Sequence, residues 1–122
     1  MFKGSCLCSK VKYELSSEPK AISNCHCQIC RKQHGAAFAT YGSVPVSSLK
    51  LISGESELIS YNSSKGIKRL FCGRCGSNLF WRGSEEFPDW VSVAIATLDT
   101  PIEVCKIKEI NLKSKACWLS VS

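Results

Sequence analysis

Residues 67–82 read IKRLFCGRCGSNLFWR, and this stretch joins two predicted strands through a tight cysteine turn. The segments IKRLF and NLFWR are short and rich in apolar and aromatic residues, which favours strands. Between them, a Cys-x-x-Cys turn directs the thiolates of Cys72 and Cys75 toward one point, at the sulfur separation of about 3.8 Å that tetrahedral zinc requires. Gly73 and Gly76 remove side chains where the backbone must curl. The stretch therefore predicts half of a metal site held between strands.

The rest of the chain reads as short strands separated by turns. In residues 10–15, Val11, Tyr13 and Leu15 alternate with polar residues, as in a half-buried strand. One short helix is predicted from Cys27 to His34, with Gly35 as its C-terminal cap. Further strands are predicted at residues 36–42, 48–52, 57–62, 91–98 and 104–110. The sequence thus predicts one mainly-β domain over residues 1–122, with one short helix.

Composition and cysteine usage narrow the class of protein. Hydrophobic residues make up 44% of the 122 residues and charged residues 21%, which is typical of a globular chain. No apolar run approaches the roughly 20 residues of a membrane helix, and the N-terminus lacks the apolar core of a signal peptide. The nine cysteines are odd in number and closely spaced, which favours metal-bound thiolates in a reducing compartment over disulfides. A cytoplasmic location is therefore expected.

The formal charge of +6 gives weak support to a nucleic-acid partner. The lysines are scattered along the chain, and many alternate with apolar residues as on the wet face of a sheet. A solvated face is the favoured interpretation, so nucleic acid is not expected as a partner, and no membrane contact is predicted.

Seven cysteines fall into three clusters, SCLCS at 5–9, NCHCQICR at 24–31 and FCGRCGS at 71–77. Cys6 and Cys8, expected on a strand, would place both sulfurs on one face. These two can complete a closed four-cysteine site with the pair in FCGRCGS, or with two cysteines of the central cluster. The first pairing is preferred, because it uses both even pairs and leaves the central triplet intact.

The central triplet consists of Cys25, Cys27 and Cys30, and three protein ligands with one open position are the form expected of catalytic zinc. The candidates for the fourth position are His26, His34, Cys105, Cys117, a water molecule or a substrate. His26 lies between two ligands and should point away, so an ordinary, partly exposed side chain is expected. His34 lies four residues past Cys30 on the same short helix and is within reach of the site, so an ordinary side chain and a place beside the metal both stay open. Cys105 and Cys117 are expected to be buried free thiols.

The three clusters, in this order, resemble the glutathione-dependent formaldehyde-activating enzyme family, which includes centromere protein V. The resemblance begins at GSCLCSKVKYEL, continues through CHCQICRKQHGAAFATYG and RLFCGRCGSNLFW, and closes with ATLDTP and SKACW. Two features depart from the family: many members have a histidine where this chain has Glu109-Ile110, and this chain is shorter than the name-giving enzymes.

The resemblance implies a β-tent fold of short antiparallel sheets bound by zinc. It implies a structural zinc site formed by Cys6, Cys8, Cys72 and Cys75, and a catalytic zinc site formed by Cys25, Cys27 and Cys30. It also implies a carbon–sulfur lyase activity that joins glutathione to formaldehyde.

The expected mechanism is attack of a zinc-activated thiol on an aldehyde carbon. Arg31 follows Cys30 directly and is the predicted cation for the developing alkoxide. Phe38, Tyr41 and Trp81 are candidate walls of a pocket. The alternative hypothesis is a non-catalytic zinc-binding module for protein or nucleic acid.

Overall fold

The computed structural model describes residues 1–104 and 106–120, which contain ten β-strands and one α-helix. The helix α1 spans Gln28–His34, between the third and fourth strands. Short 3-10 turns cover Val46–Ser48, Glu55–Glu57, Ile95–Thr97 and Leu112–Ser114. The strands are β1 (Phe2–Ser5), β2 (Lys12–Leu15), β3 (Lys20–Cys25), β4 (Ala39–Pro45), β5 (Leu49–Ser53), β6 (Leu58–Ser64), β7 (Ile67–Cys72), β8 (Asn78–Arg82), β9 (Trp90–Ala94) and β10 (Lys108–Ile110). The prediction of a mainly-β fold is confirmed.

The strands form two sheets. A three-stranded sheet has the order β1-β2-β5, and a seven-stranded sheet has the order β10-β3-β4-β9-β8-β7-β6. Neighbouring strands are antiparallel except β10 and β3, which run parallel with Ile110 opposite Cys25. The expectation of antiparallel sheets is wrong for this pair. The long connection after β9 gives the chain room to cross over and enter beside β3 in the same direction.

The main core lies between the two sheets. Val11, Tyr13 and Leu15 are all at most 1% exposed, which confirms the predicted alternation in residues 10–15. They pack against buried side chains of the large sheet, and the rings of Tyr13 and Phe80 meet edge to face with centroids 5.1 Å apart. This apolar contact fixes the small sheet over one face of the large sheet.

The opposite face of the large sheet carries a second, smaller apolar cluster. Cys25, Ala39, Tyr41 and Ala94 are buried there, and α1 covers them with Cys30. Trp81 and Ile110 pack at the border of this cluster. The predicted cysteine triplet therefore lies on the face of the sheet that the small sheet leaves free.

The helix agrees with its prediction. Cys27 is its N-cap, and the chain leaves it at Gly35, whose φ of 57° lies in the left-handed region that glycine tolerates. The Gly35 N–H donates to the Arg31 carbonyl and closes the last turn. None of the helices in the described ranges has the length and apolar character to cross a bilayer.

Several predicted strand boundaries are wrong. β9 ends at Ala94 rather than at residue 98, because the apolar run continues into a 3-10 turn. Cys6 and Cys8 of the SCLCS segment lie in the turn that follows β1 and not on a strand. β1 and β3 were not predicted, because their sequences FKGS and KAISNC lack the apolar alternation of a half-buried strand.

Candidate functional site

The first cysteine cluster joins two turns that are far apart in sequence. Cys6 and Cys8 lie in the turn after β1, and Cys72 and Cys75 lie where β7 turns into β8. The four sulfurs lie within 4.8 Å of one another, with 3.6 Å between Cys6 and Cys8 and 3.8 Å between Cys8 and Cys72. These separations exceed a disulfide bond of about 2.05 Å and match thiolates around tetrahedral zinc. The four sulfurs fit a closed zinc site, and this is the pairing preferred from the sequence.

Backbone and side-chain hydrogen bonds hold these two turns together. Gly76 has a φ of 81° and donates its N–H to the Cys72 carbonyl at 2.7 Å, which curls the second turn. Ser77 then links the turns, since its Oγ accepts from the Leu7 N–H at 2.9 Å. The Val11 N–H donates to the Cys6 sulfur at 3.3 Å. The local fold therefore sets the ligand positions from both sides.

The second cluster contains Cys25, Cys27 and Cys30, whose sulfurs also lie within 4.8 Å of one another. Cys25 is the last residue of β3, Cys27 caps α1, and Cys30 lies in the first helical turn. Cys30 is 3% exposed, whereas Cys27 is only partly buried. Within residues 1–104 and 106–120, no fourth cysteine, histidine or carboxylate joins the cluster. Three sulfurs with one partly open side fit a metal site that keeps a position for another ligand.

Each sulfur of the triplet accepts a hydrogen bond from a different N–H group. Asn111 Nδ2 donates to Cys25 at 3.2 Å, and the Cys30 backbone N–H donates to Cys27 at 3.3 Å. Arg69 donates to Cys30 through Nη1 at 3.5 Å and Nη2 at 3.6 Å. Such donors stabilise the thiolate form that metal binding requires.

Arg69 is the cation built into this cluster. It is 4% exposed, and it also donates from Nε to Ser63 Oγ and from Nη1 to Gln33 Oε1, each at 2.9 Å. Burial raises the pKa of Cys30 to about 12, and the guanidinium of Arg69 opposes that rise. The guanidinium of Arg69 would offset negative charge when Cys30 becomes a thiolate, as metal binding requires.

His26 lies outside the sulfur cluster and anchors the parallel strand. It is fully buried, so the expectation of a partly exposed side chain is wrong. Its Nε2 lies 2.7 Å from Glu109 Oε1, and Asn24 Nδ2 donates to the other carboxylate oxygen at 2.8 Å. The hydrogen bond from His26 and that from Asn24 lower the pKa of Glu109. Glu109 is therefore the acceptor that ties β10 to the segment between Cys25 and Cys27.

His34 packs against the wall of the triplet rather than joining it. Its Nε2 lies 2.9 Å from the Tyr41 hydroxyl, and the two rings meet edge to face. Burial, with a smaller effect of the Arg69 charge, lowers the pKa of His34 to about 4. The imidazole is therefore neutral near pH 7 and contributes a hydrogen bond rather than a charge.

Two other expected residues are placed differently from the sequence expectation. Arg31 makes no side-chain hydrogen bond within the described residues, and it lines a shallow hollow beside Trp118. Cys117 is exposed, so the expectation of a buried thiol is wrong, and Cys105 lies outside the described residues. The cation that contacts the triplet is instead Arg69. It lies on a strand 39 residues from Cys30, and sequence spacing alone gives no sign of that contact.

Two hollows share wall residues with the apolar cluster around the triplet. The aromatic hollow has a volume of about 430 Å³ and is lined by Trp81, Trp90 and Phe87, with Lys20 and Glu86 among its polar residues. The polar hollow has a volume of about 340 Å³ and is lined by side chains including His34, Phe38, Thr40, Asn78 and Thr97. Two candidate binding spaces therefore lie next to residues that pack on the triplet, although none of its cysteines lines either hollow.

The chain was compared with curated relatives. It is 29% identical over 80 residues to an uncharacterised lyase of Schizosaccharomyces pombe. The aligned region covers 66% of this chain and 56% of that protein. The chain is 32% identical over 85 residues to a protein of Podospora anserina named as a glutathione-dependent formaldehyde-activating enzyme. This second alignment covers 68% of this chain and 40% of that protein. The aligned region thus spans about half the length of these relatives.

Structural comparison agrees on the fold. A crystal structure of a Rhodobacter sphaeroides protein superposes with a TM-score of 0.71 at 23% identity, covering 88% of this chain and 98% of that chain. The family model described as glutathione-dependent formaldehyde-activating enzyme matches residues 1–114. This chain belongs to the glutathione-dependent formaldehyde-activating enzyme family.

Proposed function

We propose that this chain is a zinc-dependent carbon–sulfur lyase, folded as one domain over residues 1–122, that joins a small thiol such as glutathione to an aldehyde such as formaldehyde. The observation that carries the proposal is the difference between the two cysteine clusters. One has four sulfurs at ligand spacing, and the other has three sulfurs, each with its own N–H donor.

The proposed ligands follow the two clusters. Cys6, Cys8, Cys72 and Cys75 would hold a structural zinc, and Cys25, Cys27 and Cys30 would hold the catalytic one. When bound at the triplet, zinc supplies a Lewis acid with a free position that lowers the pKa of an incoming thiol.

The reaction balances without any oxidant or reductant. The thiol sulfur forms a bond to the aldehyde carbon, and the carbonyl π pair becomes a lone pair on oxygen. The proton of the thiol ends on that oxygen and gives the hemithioacetal. The partly exposed Cys27 marks the side from which both reactants approach.

Arg69 is proposed to hold the charge of the triplet in place. Its two Nη atoms bond the Cys30 sulfur, and its remaining donors are held by Ser63 and Gln33. A guanidinium fixed at three points orients that sulfur and offsets negative charge as the thiolates form. Arg31, whose Nε is buried and makes no hydrogen bond within the described residues, remains a proposed cation for the developing alkoxide.

The polar hollow is proposed to hold the thiol. Its hydroxyl, amide and imidazole groups match a peptide-like thiol with many hydrogen-bonding atoms, such as glutathione. Two substrates need two binding regions near the reacting atoms, and the two hollows that share wall residues with the cluster around the triplet support this proposal.

Exchange between formaldehyde, glutathione and their hemithioacetal, followed by NMR, tests the activity. Cys27→Ser should reduce exchange to the uncatalysed rate, because a serine hydroxyl is a poor zinc ligand. Cys117→Ser is the matched control, since Cys117 is exposed and lies outside both clusters, and it should exchange as the unaltered chain does. Equal rates for the unaltered chain and Cys27→Ser would contradict the lyase and favour a non-catalytic zinc module.

A further inference from the structure

The aromatic hollow lies on the same face of the large sheet as the triplet. Strand register places Lys20, Ser43, Ser92 and Trp81 opposite one another in a row across β3, β4, β9 and β8. Residues opposite one another in register point to the same face. All four line the hollow. The hollow is therefore built on the sheet surface that carries the cysteine site.

The spacing along the strands connects this row to the triplet. Tyr41 and Ala94, which pack against Cys25 and Cys30, stand two residues from Ser43 and Ser92. Two residues along a strand correspond to about 7 Å. Trp81 belongs to both places, since it lines the hollow and packs on the cluster around the triplet. A molecule in the hollow would therefore share the Trp81 wall and one face of the sheet with the triplet, about two strand residues from side chains that pack against Cys25 and Cys30.

The lining of the hollow determines the chemistry that it accepts. Trp81, Trp90 and Phe87 supply aromatic walls, and the charges of Lys20 and Glu86 have opposite signs. The volume of about 430 Å³ lies in the range of sites for drug-sized ligands, of about 300–1,000 Å³, and greatly exceeds what formaldehyde fills. Such a site favours an uncharged, apolar group over an ion.

We infer that the aromatic hollow receives the apolar substituent of an aldehyde substrate, so that the preferred aldehyde is an uncharged aryl or alkyl aldehyde larger than formaldehyde. This inference rests on the proposed lyase function. The aldehyde carbon lies at the triplet end, where the thiol sulfur bonds to it and the thiol proton passes to the carbonyl oxygen. The ring or alkyl chain lies between Trp81 and Trp90.

Binding is tested without catalysis by titrating the ¹⁵N-labelled chain with benzyl alcohol, which has the shape of benzaldehyde but forms no hemithioacetal. The indole N–H signals of Trp81 and Trp90 should shift, and that of Trp118 should not, because Trp118 lies outside the hollow. Trp90→Ala and Phe87→Ala should each weaken binding about tenfold. Phe87 is 56% exposed, so its replacement leaves the fold intact. Trp118→Ala, the matched control, should bind as the unaltered chain does.

Catalysis supplies the second readout. The ratio of kcat/KM for benzaldehyde to that for formaldehyde should fall about tenfold in Trp90→Ala. The inference would be overturned by the absence of shifts, by shifts at Trp118 alone, or by an unchanged kcat/KM ratio. None of these results would contradict a lyase that acts on formaldehyde. Shifts of Trp90 by S-methylglutathione in place of benzyl alcohol would assign the hollow to the thiol and also overturn it. Benzyl alcohol binding with no catalysis of any aldehyde would overturn the proposed lyase, and the substrate assignment with it.

Discussion

The two cysteine clusters use the same ligand atom in opposite settings. In the four-sulfur cluster, Cys6 and Cys72 are buried in the main core between the sheets, and Cys8 and Cys75 are partly exposed. The three-sulfur cluster lies on the free face of the large sheet, where Cys25 and Cys30 are buried, Cys27 is partly exposed, and two hollows share wall residues with the surrounding apolar cluster. The first arrangement connects the parts of the fold, and the second leaves space for another molecule. The two clusters therefore differ in the number of sulfurs and in their position in the fold, although both use cysteine.

Loss of a core ligand should have the largest effect. Cys72→Ser removes a fully buried sulfur from the cluster that links the turns of β1 and β7. Because zinc binding contributes on the order of 10 kcal/mol to the folding of small zinc sites, this variant should lose its folded state. Circular dichroism and thermal unfolding measure the effect. Cys27→Ser is the comparison, and it should remain folded with a lower Tm. Equal destabilisation by the two variants would remove the distinction between the clusters.

Arg69 should matter for both the stability and the chemistry of the triplet. Arg69→Met leaves Gln33 Oε1 and the Cys30 sulfur without their buried donor, so unfolding free energy should fall by about 1–3 kcal/mol. Zinc at the triplet should also be released faster by chelators, because the thiolates lose a donor. Urea unfolding and competition with a zinc-binding dye measure the two effects.

Arg69→Lys provides the control for that experiment. Lysine keeps the positive charge but lacks the planar fork that reaches Cys30, Ser63 and Gln33 together. It should recover part of the stability and little of the zinc retention. Full recovery of both by lysine would show that charge alone acts, and no effect of Arg69→Met on zinc release would contradict its role at the triplet.

His34 should produce the smallest effect, visible as a pH dependence. Its pKa is lowered from 6.5 to about 4, mainly by burial, so between these values the unfolded chain binds a proton that the folded chain does not. Stability that depends on neutral His34 is therefore lost as pH falls through this window. His34→Gln should show a smaller loss of stability between pH 6.5 and pH 5 in urea unfolding, since glutamine does not titrate. Parallel pH profiles for the two proteins would contradict this assignment.

Local patterns in the sequence predicted much of the fold and the cysteine grouping. The helix from Cys27 to Gly35 and the buried face of residues 10–15 follow from short-range spacing and alternation. β3 was missed because its KAISNC sequence owes its strand conformation to two neighbours in the sheet. Tertiary pairing therefore overrides weak local propensity at this strand.

The donors to the triplet were missed for a related reason. Arg69 and Asn111 reach the sulfurs across 39 and 86 residues of sequence, through a sheet order that no local pattern contains. Arg31 was favoured because it is next to Cys30 in the chain, but its place on the helix directs it toward Trp118. Adjacency in sequence is a poor guide to contact on a short helix, because successive residues point in different directions.

The zinc content of the purified chain, before and after brief treatment with a chelator, distinguishes a closed four-cysteine site from an open three-cysteine site. Native mass spectrometry counts the ions, and alkylation with peptide mapping identifies the cysteines that become free. Two zinc ions per chain are expected, and one of them should be lost quickly. Cys25, Cys27 and Cys30 should then be alkylated, while Cys6, Cys8, Cys72 and Cys75 stay protected. A single, tightly held zinc, with the triplet already open to alkylation before treatment, would contradict this expectation.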